Sequence, residues 1–489
     1  MKKLFVSTGL AVIGVAGLQS AGAAGPDLIS PKAWNVSGTL RGFYDDNYAI
    51  GTTKKGSWGL EVSPQISVNV PLQQTDLGIR YYYTLYYYDD RRELLGWNNS
   101  YDQSHQVEFW MTHAFNPNWK LKVTDHVGIG QEPDLLQPNP AGGQAIPFRI
   151  NGNNIANYGI VSLDGQWTRN FGTSLSYANN YFDYDNNGAT VTGGLPTTGL
   201  DMPSASSSYN GPGVAPGWRT VEGGASLSGL LDRIEHNIAL DFSWTFSPET
   251  KISIGYGFSQ VNYIGNEPIA VYNYASSYTP NLIGFESNPP FNPIFNYDAN
   301  NPKSFVYHSS DRDGRSHNGH VSLNHQLTAN ISLALSAGVS YNDSYNDPIQ
   351  HTTSISPSAS ASLSYTYIPG SYVQLGVNQG ENSTDVVAPG ADGSLTQYQH
   401  STTVYADWNH RITEKLSGTL IARFNYASFE GGAANAMTEQ DYNVGLNFSY
   451  RFNRHLSADV GYNFDDLVTS LSSRGFIRNR VYLGLTASY

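Results

Sequence analysis

From Trp34 onward, apolar and polar residues alternate with a period of two. Between Trp58 and Val70, Trp58, Leu60, Val62, Ile66, Val68 and Val70 share one face, while Glu61, Ser63, Gln65, Ser67 and Asn69 share the other. A strand puts residues i and i+2 on one side, whereas a helix would scatter them around its axis. The same alternation predicts eighteen strands: 34–44, 58–70, 75–88, 104–115, 119–130, 157–168, 172–184, 232–246, 251–264, 315–327, 331–345, 353–367, 371–383, 397–408, 415–429, 439–450, 455–464 and 476–489. They exceed the roughly 5–6 residues usual in soluble sheets and reach the roughly 9–11 that cross a bilayer at a tilt. Pro64 and Pro357 interrupt two of them. Proline removes a ladder hydrogen bond, and a closed barrel has no edge to hide it, so bulges are expected there. Discounting these two strands leaves a sixteen-strand count.

The links between strands alternate in length. Asn116-Pro117-Asn118, Ser247-Pro248-Glu249-Thr250, Thr328-Ala329-Asn330 and Ile368-Pro369-Gly370 are short, and segments 131–156, 185–231 and 265–314 are long. A soluble sandwich or propeller has no reason to sort its loops this way. An outer-membrane barrel does, with short periplasmic turns and long external loops. Eight short turns and nine long loops place both ends of the barrel on the periplasmic side. The fold class read from the pattern is therefore all-β, a transmembrane antiparallel β-barrel of about eighteen strands. Closure is required because lipid cannot satisfy a free sheet edge, and about 16–18 strands enclose an aqueous channel.

The N-terminal residues read differently. Lys2 and Lys3 precede a mostly apolar Leu4–Leu18, and Ala21-Gly22-Ala23 offers a small-residue cleavage site. This is the layout of a secretory leader. The expected organisation is a leader over 1–23, a short periplasmic segment over 24–33 and the barrel over 34–489. Elsewhere no apolar run is long enough for a membrane helix, at 39% hydrophobic residues and a mean hydropathy of −0.37. Tyr (34), Phe (20) and Trp (9) are abundant, as suits strands and the girdles where a barrel meets lipid headgroups. There is no cysteine, hence no disulfide and no thiolate metal site. The net charge is −13, and removing a leader with two lysines and no acid leaves −15. That balance argues against nucleic acid as a partner, since phosphate backbones need concentrated Lys and Arg.

The last segment places Val481, Leu483, Leu485, Ala487 and Tyr489 on one face and ends on an aromatic residue. It looks like the C-terminal signal by which barrels are recognised for membrane insertion, which makes the barrel-assembly machinery an expected partner. Further stretches carry a family resemblance: Ser104-His105-Gln106-Val107 leading to Phe115-Asn116-Pro117-Asn118-Trp119, Gln131-Glu132-Pro133-Asp134-Leu135, Arg233-Ile234-Glu235-His236 leading to Phe246-Ser247-Pro248-Glu249-Thr250, and Tyr365-Thr366-Tyr367-Ile368-Pro369-Gly370. With the strand–turn–strand–loop pattern of nearly the whole chain, they resemble the putative β-barrel porin type 2 family. That resemblance implies an outer-membrane location and a pore. It brings no catalytic residues and no particular substrate.

If the apolar faces meet lipid, the opposite faces line a lumen. They offer Glu61, Glu108, Glu235, Asp241, Asp407, Asp441 and Asp459 against Arg80, Lys120, Lys122, Arg233, Arg423 and Arg480. Near balance of charge predicts a hydrated pore with weak ion preference for small polar solutes, and the competing reading is a lumen blocked by its own loops. A plug is conceivable from 276–296, with Ser276-Ser277-Tyr278, Phe285, Phe291 and Phe295. Tyr82 and Tyr86 sit in the tyrosine run 81–88 and suggest a surface for sugar rings. Asp183, Asp185 and Asn187 imitate the opening of a calcium loop, but its twelfth position is Gly194, not the bidentate Glu required. His317 and His325 share a strand face while His320 opposes them, too far apart for one metal. With no HExxH or GxSxG motif, the chain is expected not to be an enzyme and to need no cofactor. The alternative to a channel is a non-conducting barrel whose loops bind a surface polysaccharide or a protein. The oligomeric state is left open.

Overall fold

The computed structural model describes residues 33–91, 100–130, 154–184, 217–219, 227–273, 280–285, 293–297, 304–347, 351–384, 386, 395–471 and 474–489. Eighteen strands form one sheet. They are β1 Trp34–Asp45, β2 Ser57–Pro71, β3 Thr75–Tyr88, β4 Tyr101–Asn116, β5 Trp119–Gly130, β6 Asn154–Gln166, β7 Phe171–Tyr184, β8 Arg233–Ser247, β9 Thr250–Tyr263, β10 Gly314–Thr328, β11 Ile331–Ser344, β12 Thr352–Ile368, β13 Ser371–Ser383, β14 Tyr398–Arg411, β15 Leu416–Glu430, β16 Thr438–Arg451, β17 Leu456–Thr469 and β18 Phe476–Ser488. Each pairs antiparallel with its sequence neighbours, and β18 pairs with β1 to close the barrel. Every strand predicted from the alternation is present.

The short turns use short polar side chains to satisfy freed backbone donors, as the turn chemistry of Asn, Thr and Ser allows. Asn116 Oδ1 accepts from the N–H groups of Asn118 (2.9 Å) and Trp119 (3.0 Å). Thr413 Oγ1 accepts from Lys415 (3.2 Å) and Leu416 (3.0 Å), and Asn453 Oδ1 from His455 (2.7 Å) and Leu456 (3.0 Å). Gly370 follows Pro369 with φ +82°, a conformation that glycine takes without strain.

The expectation of bulges at the two prolines is corrected. The β1–β2 register runs unbroken through Gly38↔Pro64, and the β11–β12 register runs unbroken through Val339↔Pro357. The cost of each proline falls on the other neighbour. The β2–β3 ladder skips Ser63 and Pro64 without changing register, and the β12–β13 ladder begins only at Ala359↔Gln379. In an antiparallel ladder the N–H and C=O of one residue face the same neighbour, so a missing N–H is lost to one side alone. The register shifts that do occur within the barrel lie beside short turns, at Ala114/Asn116, Thr250/Lys251, Gln326/Thr328 and Thr366/Ile368.

The outward face is apolar and exposed along the strands. Leu60 is 42%, Leu483 66% and Leu485 51% exposed and Val68 is half-buried, so these side chains are not packed inside. Polar residues on this face gather near the rims as cross-strand pairs. Tyrosine hydroxyls meet histidine Nδ1 atoms in Tyr81–His105 (2.9 Å), Tyr177–His236 (2.8 Å) and Tyr256–His317 (2.7 Å), near the ends bearing the long loops. Thr75–His113 (2.8 Å), Thr250–His325 (2.9 Å) and Tyr367–His410 (2.7 Å) lie at the short-turn ends. Such rings carry an apolar body and a polar tip, as an interface requires.

Above the barrel, the long loops contain structure of their own. Strands Gly217–Arg219, Pro268–Asn273 and Ser304–His308 form a small sheet, Pro280–Phe285 pairs with Pro293–Tyr297, and Leu227–Leu231 is a helical turn. Arg312 links the helical turn to the ends of two barrel strands. It donates to Leu230 O (2.9 Å) and to Thr384 O, and its guanidinium lies 4.4 Å from the Tyr263 ring centroid. Of the plug segment 276–296, the side chains of Phe285 and Phe295 and the whole of Ser276, Ser277, Tyr278 and Phe291 lie outside the described residues.

Candidate channel lumen

Alternation sends every second residue inward, and on this barrel the inward face is charged and hydroxylated. On β1, Trp34, Val36 and Leu40 are exposed outward while Arg41 and Asp45 point in with Phe43. Of the residues predicted to line the lumen, Glu61, Arg233, Asp241, Asp407, Asp441 and Asp459 are buried within the wall, and Arg80, Glu108, Lys122, Glu235, Arg423 and Arg480 are half-buried. Lys120 is exposed.

Around the closing seam, Arg41 joins two acids from different strands. Its Nη1 donates to Glu61 Oε1 (2.9 Å) and its Nε to Asp459 Oδ2 (2.8 Å). Arg480 donates through Nε (3.0 Å) and Nη2 (2.8 Å) to Asp45 Oδ2, and through Nη2 to the Tyr88 hydroxyl (3.2 Å). Arg478 donates to Asp465 (2.9 Å), whose other oxygen accepts from Asn443 (3.1 Å), and Asn443 also reaches Asp441 (3.4 Å). The Arg480 guanidinium lies 5.5 Å from the Tyr86 ring centroid and 5.3 Å from that of Phe43. The Tyr86 face suggested for sugar rings is thus engaged by a cation.

The rest of the wall repeats the arrangement. Arg80 pairs with Glu108, which also faces His126 at 3.8 Å. Lys122 meets Asp164 (2.7 Å), and Arg233 donates to Glu235 (2.8 Å), whose second oxygen accepts from Asn180 (2.8 Å). His320 Nε2 lies 2.9 Å from Asp241 Oδ1. Asp407 sits diagonally from Arg423 across the β14–β15 ladder. Lys120 and Lys122 at the start of β5 and Lys251 at the start of β9 form a basic sector near the short-turn mouth.

Two of these contacts bridge across a single intervening strand, and each passes over a glycine. Gly484 on β18 lies opposite both Arg41 and Asp459, and a Cβ there would meet Arg41 Cγ at 2.4 Å and Asp459 Oδ1 at 3.1 Å. Gly255 on β9 lies opposite both Asp241 and His320, and a Cβ there would meet His320 Cε1 at 2.0 Å and Asp241 Oδ1 at 2.2 Å. The missing side chain is the passage through which each bridge is made.

Sequence reasoning found one half of several of these contacts and missed the other. Arg41, Asp45, Asp164, Asp465 and Arg478 were not singled out. His320 was placed on the face opposite His317 and His325, which holds, and Asp241 was placed in the lumen, but that the two meet was not visible. An inward glycine flanked by charges on both adjacent strands is the signal that locates such pairs, and it needs the register to be known. Asp183 accepts from the Tyr181 hydroxyl at 3.0 Å, while Asp185 and Asn187 of the calcium candidate lie outside the described residues.

Residues 285–489 match the model of the family described as Putative beta-barrel porin 2. The match takes in Tyr365–Gly370, and the resembling stretches at 104–119, 131–135 and 233–250 fall before it. No curated protein matches the chain. Among solved structures, the chain is similar to Acinetobacter baumannii OccAB4 at 12% identity, with 94% of this chain and 99% of that one covered and a TM-score of 0.39. It is similar to a BenF-like porin from Pseudomonas fluorescens Pf-5 at 11% identity, with 94% and 99% covered and a TM-score of 0.40. Pseudomonas aeruginosa OccK9 (OpdG) gives 12% identity, 93% and 98% covered and a TM-score of 0.41.

Proposed function

We propose that the protein is exported by its N-terminal leader and forms a channel in a bacterial outer membrane for passive, weakly selective diffusion of small polar solutes and ions. One observation carries this reading: the inward faces of the barrel hold mutually compensated acids and bases with Ser, Thr and Asn, where a packed apolar core would otherwise stand. Among the described residues, a buried apolar cluster of Val386, Phe429, Ala434 and Leu471 sits at the long-loop end of β15. Closure at this strand number encloses water. Pairs such as Arg41–Glu61 and Arg80–Glu108 leave little net field of either sign, which supports weak selectivity. The predicted lumen residues act here as a hydrated lining. None has a catalytic role in this proposal, and no cofactor enters it.

Insertion is assigned to the terminal strand. Val481, Leu483, Leu485 and Tyr489 face outward, Ala487 shares their parity, and Tyr489 exchanges backbone hydrogen bonds with Val36 (2.9 and 3.3 Å). This is a surface the barrel-assembly machinery can read before β1 covers the strand edge.

Reconstitution into planar bilayers tests the function. Discrete conductance steps with a cation-to-anion permeability ratio near unity are expected, and purified barrel that never produces steps overturns the channel. The second reading, a non-conducting barrel whose loops bind a polysaccharide or protein, draws on the structure within the long loops and its anchorage by Arg312. It predicts no conductance steps from the purified barrel, and loss of binding when 268–308 is deleted.

A further inference from the structure

Near the long-loop ends of β4, β8 and β10, the outward histidines His105, His236 and His317 each meet a tyrosine hydroxyl. His400, on the same face near the start of β14, does not. Its Nε2 lies 2.8 Å from Glu430 Oε2 at the end of β15 and 3.6 Å from Glu381 Oε2 on β13. One ligand atom from each of the three lies within 4.8 Å of the others. Glu381 faces His400 directly in the ladder, and Glu430 sits on the diagonal, opposite Tyr398. Such neighbours are within reach of long side chains.

Glu381 sets this cluster apart from a surface ion pair. Its side chain is 2% exposed, yet Oε2 has no hydrogen-bond partner. Its other oxygen is held by Ser354 Oγ at 2.9 Å and by the Asn342 side chain. A buried carboxylate oxygen left unpaired is costly. Here the carboxylate is oriented from behind and its free oxygen points at an imidazole nitrogen, as outer-shell hydrogen bonds orient metal ligands.

We propose that Glu381, His400 and Glu430 form a divalent-cation site on the outer wall of the barrel, with one imidazole nitrogen and two carboxylate oxygens selecting a zinc-like ion. The ligand set suits Zn²⁺ better than Ca²⁺ or Mg²⁺, which take oxygen donors. The half-exposed His400 and Glu430 close the remaining distance, and a fourth position stays open to water. Binding requires Nε2 of His400 to be unprotonated, so the ion displaces the His400–Glu430 contact. The ion also has structural work here. Beyond Gln379, β13 has no ladder with β12, and the site adds a tie from that end through β14 to β15.

The test uses full-length barrel folded in detergent micelles, stripped with EDTA and titrated with ZnCl₂ by calorimetry, with X-ray absorption at the zinc edge. One saturable Zn²⁺ with a single imidazole in its shell is expected, weakened at least about tenfold in both His400→Gln and Glu430→Gln. Zn²⁺ should raise the melting temperature of the wild type and leave both variants unmoved. Both substitutions lie at exposed positions, and heat-modifiable gel migration reports that they fold. Absence of saturable binding, Zn²⁺ affinity unchanged in His400→Gln, or equal saturation by Ca²⁺ each overturns the site. Conductance is not the readout, so the outcome is separate from that of the channel.

Discussion

Replacing Gly484 by alanine changes no charge, yet it should break an ion pair. The added Cβ would stand 2.4 Å from Arg41 Cγ and 3.1 Å from Asp459 Oδ1, so the Arg41 side chain must leave its path to β17. The contact at risk is the 2.8 Å hydrogen bond from Arg41 Nε to Asp459. Hydrogen bonds to charged groups contribute about 1.5–3 kcal/mol. Alanine recovers about 0.5–1 kcal/mol that glycine forfeits in a strand. The net expectation is a loss of about 1–2 kcal/mol, since the lumen screens part of the pair. Gly42 is the control. It lies next to Arg41 on β1 but faces outward, with nothing within 4 Å of its Cβ position, so Gly42→Ala should be neutral or mildly stabilising. Equilibrium urea unfolding in phospholipid vesicles measures both. The decisive comparison repeats Gly484→Ala in an Asp459→Asn background, where most of the penalty should vanish. A penalty of equal size in both backgrounds would refute the bridge over glycine.

Other predictions follow from the same geometry. Leu483→Arg places a charge on the lipid face of β18 and should cost about 2–4 kcal/mol near the bilayer midplane, read as a lower urea midpoint; an unchanged midpoint would mean that this face does not meet lipid. Replacing Lys120, Lys122 and Lys251 together by glutamine removes the basic sector at the short-turn mouth, and reversal potentials in a KCl gradient should shift toward cations. Outside the membrane span, burial pushes the Asp232 carboxyl from 3.8 up to about 6, with Asp183 and Glu267 adding to the rise and the Tyr184 N–H and Arg233 opposing it. A raised folded pKa means that this contribution to loop stability is fully present below about pH 4 and lost as pH rises through about 6. For a half-buried group it amounts to about 1 kcal/mol after screening. Proteolytic protection around Leu227–Arg233 should therefore fall across that window in the wild type and stay flat in Asp232→Asn.

The alternation of residues decided the barrel from the sequence alone. A strand with one apolar and one polar face has a fixed period, and a wall with lipid on one side and water on the other repeats it eighteen times. Loop parity was equally local, since turn residues such as Asn116-Pro117-Asn118 act through their own backbone. The sidedness of Glu61, Asp241 and Asp459 followed from parity as well. What sequence could not supply was which inward charge meets which. Arg41 and Asp459 lie on strands that only closure of the barrel brings within one strand of each other, and Asp241 and His320 meet only because Gly255 stands between them in register. The pairing at Pro64 and Pro357 was decided in the same way. A missing N–H is written in the sequence, but the neighbour that loses the bond is set by which way the ladder turns at that residue. Glu381, His400 and Glu430 show the general case: three unremarkable positions on three strands become one cluster when register aligns their ends, because contact depends on stagger between strands and no single strand encodes it.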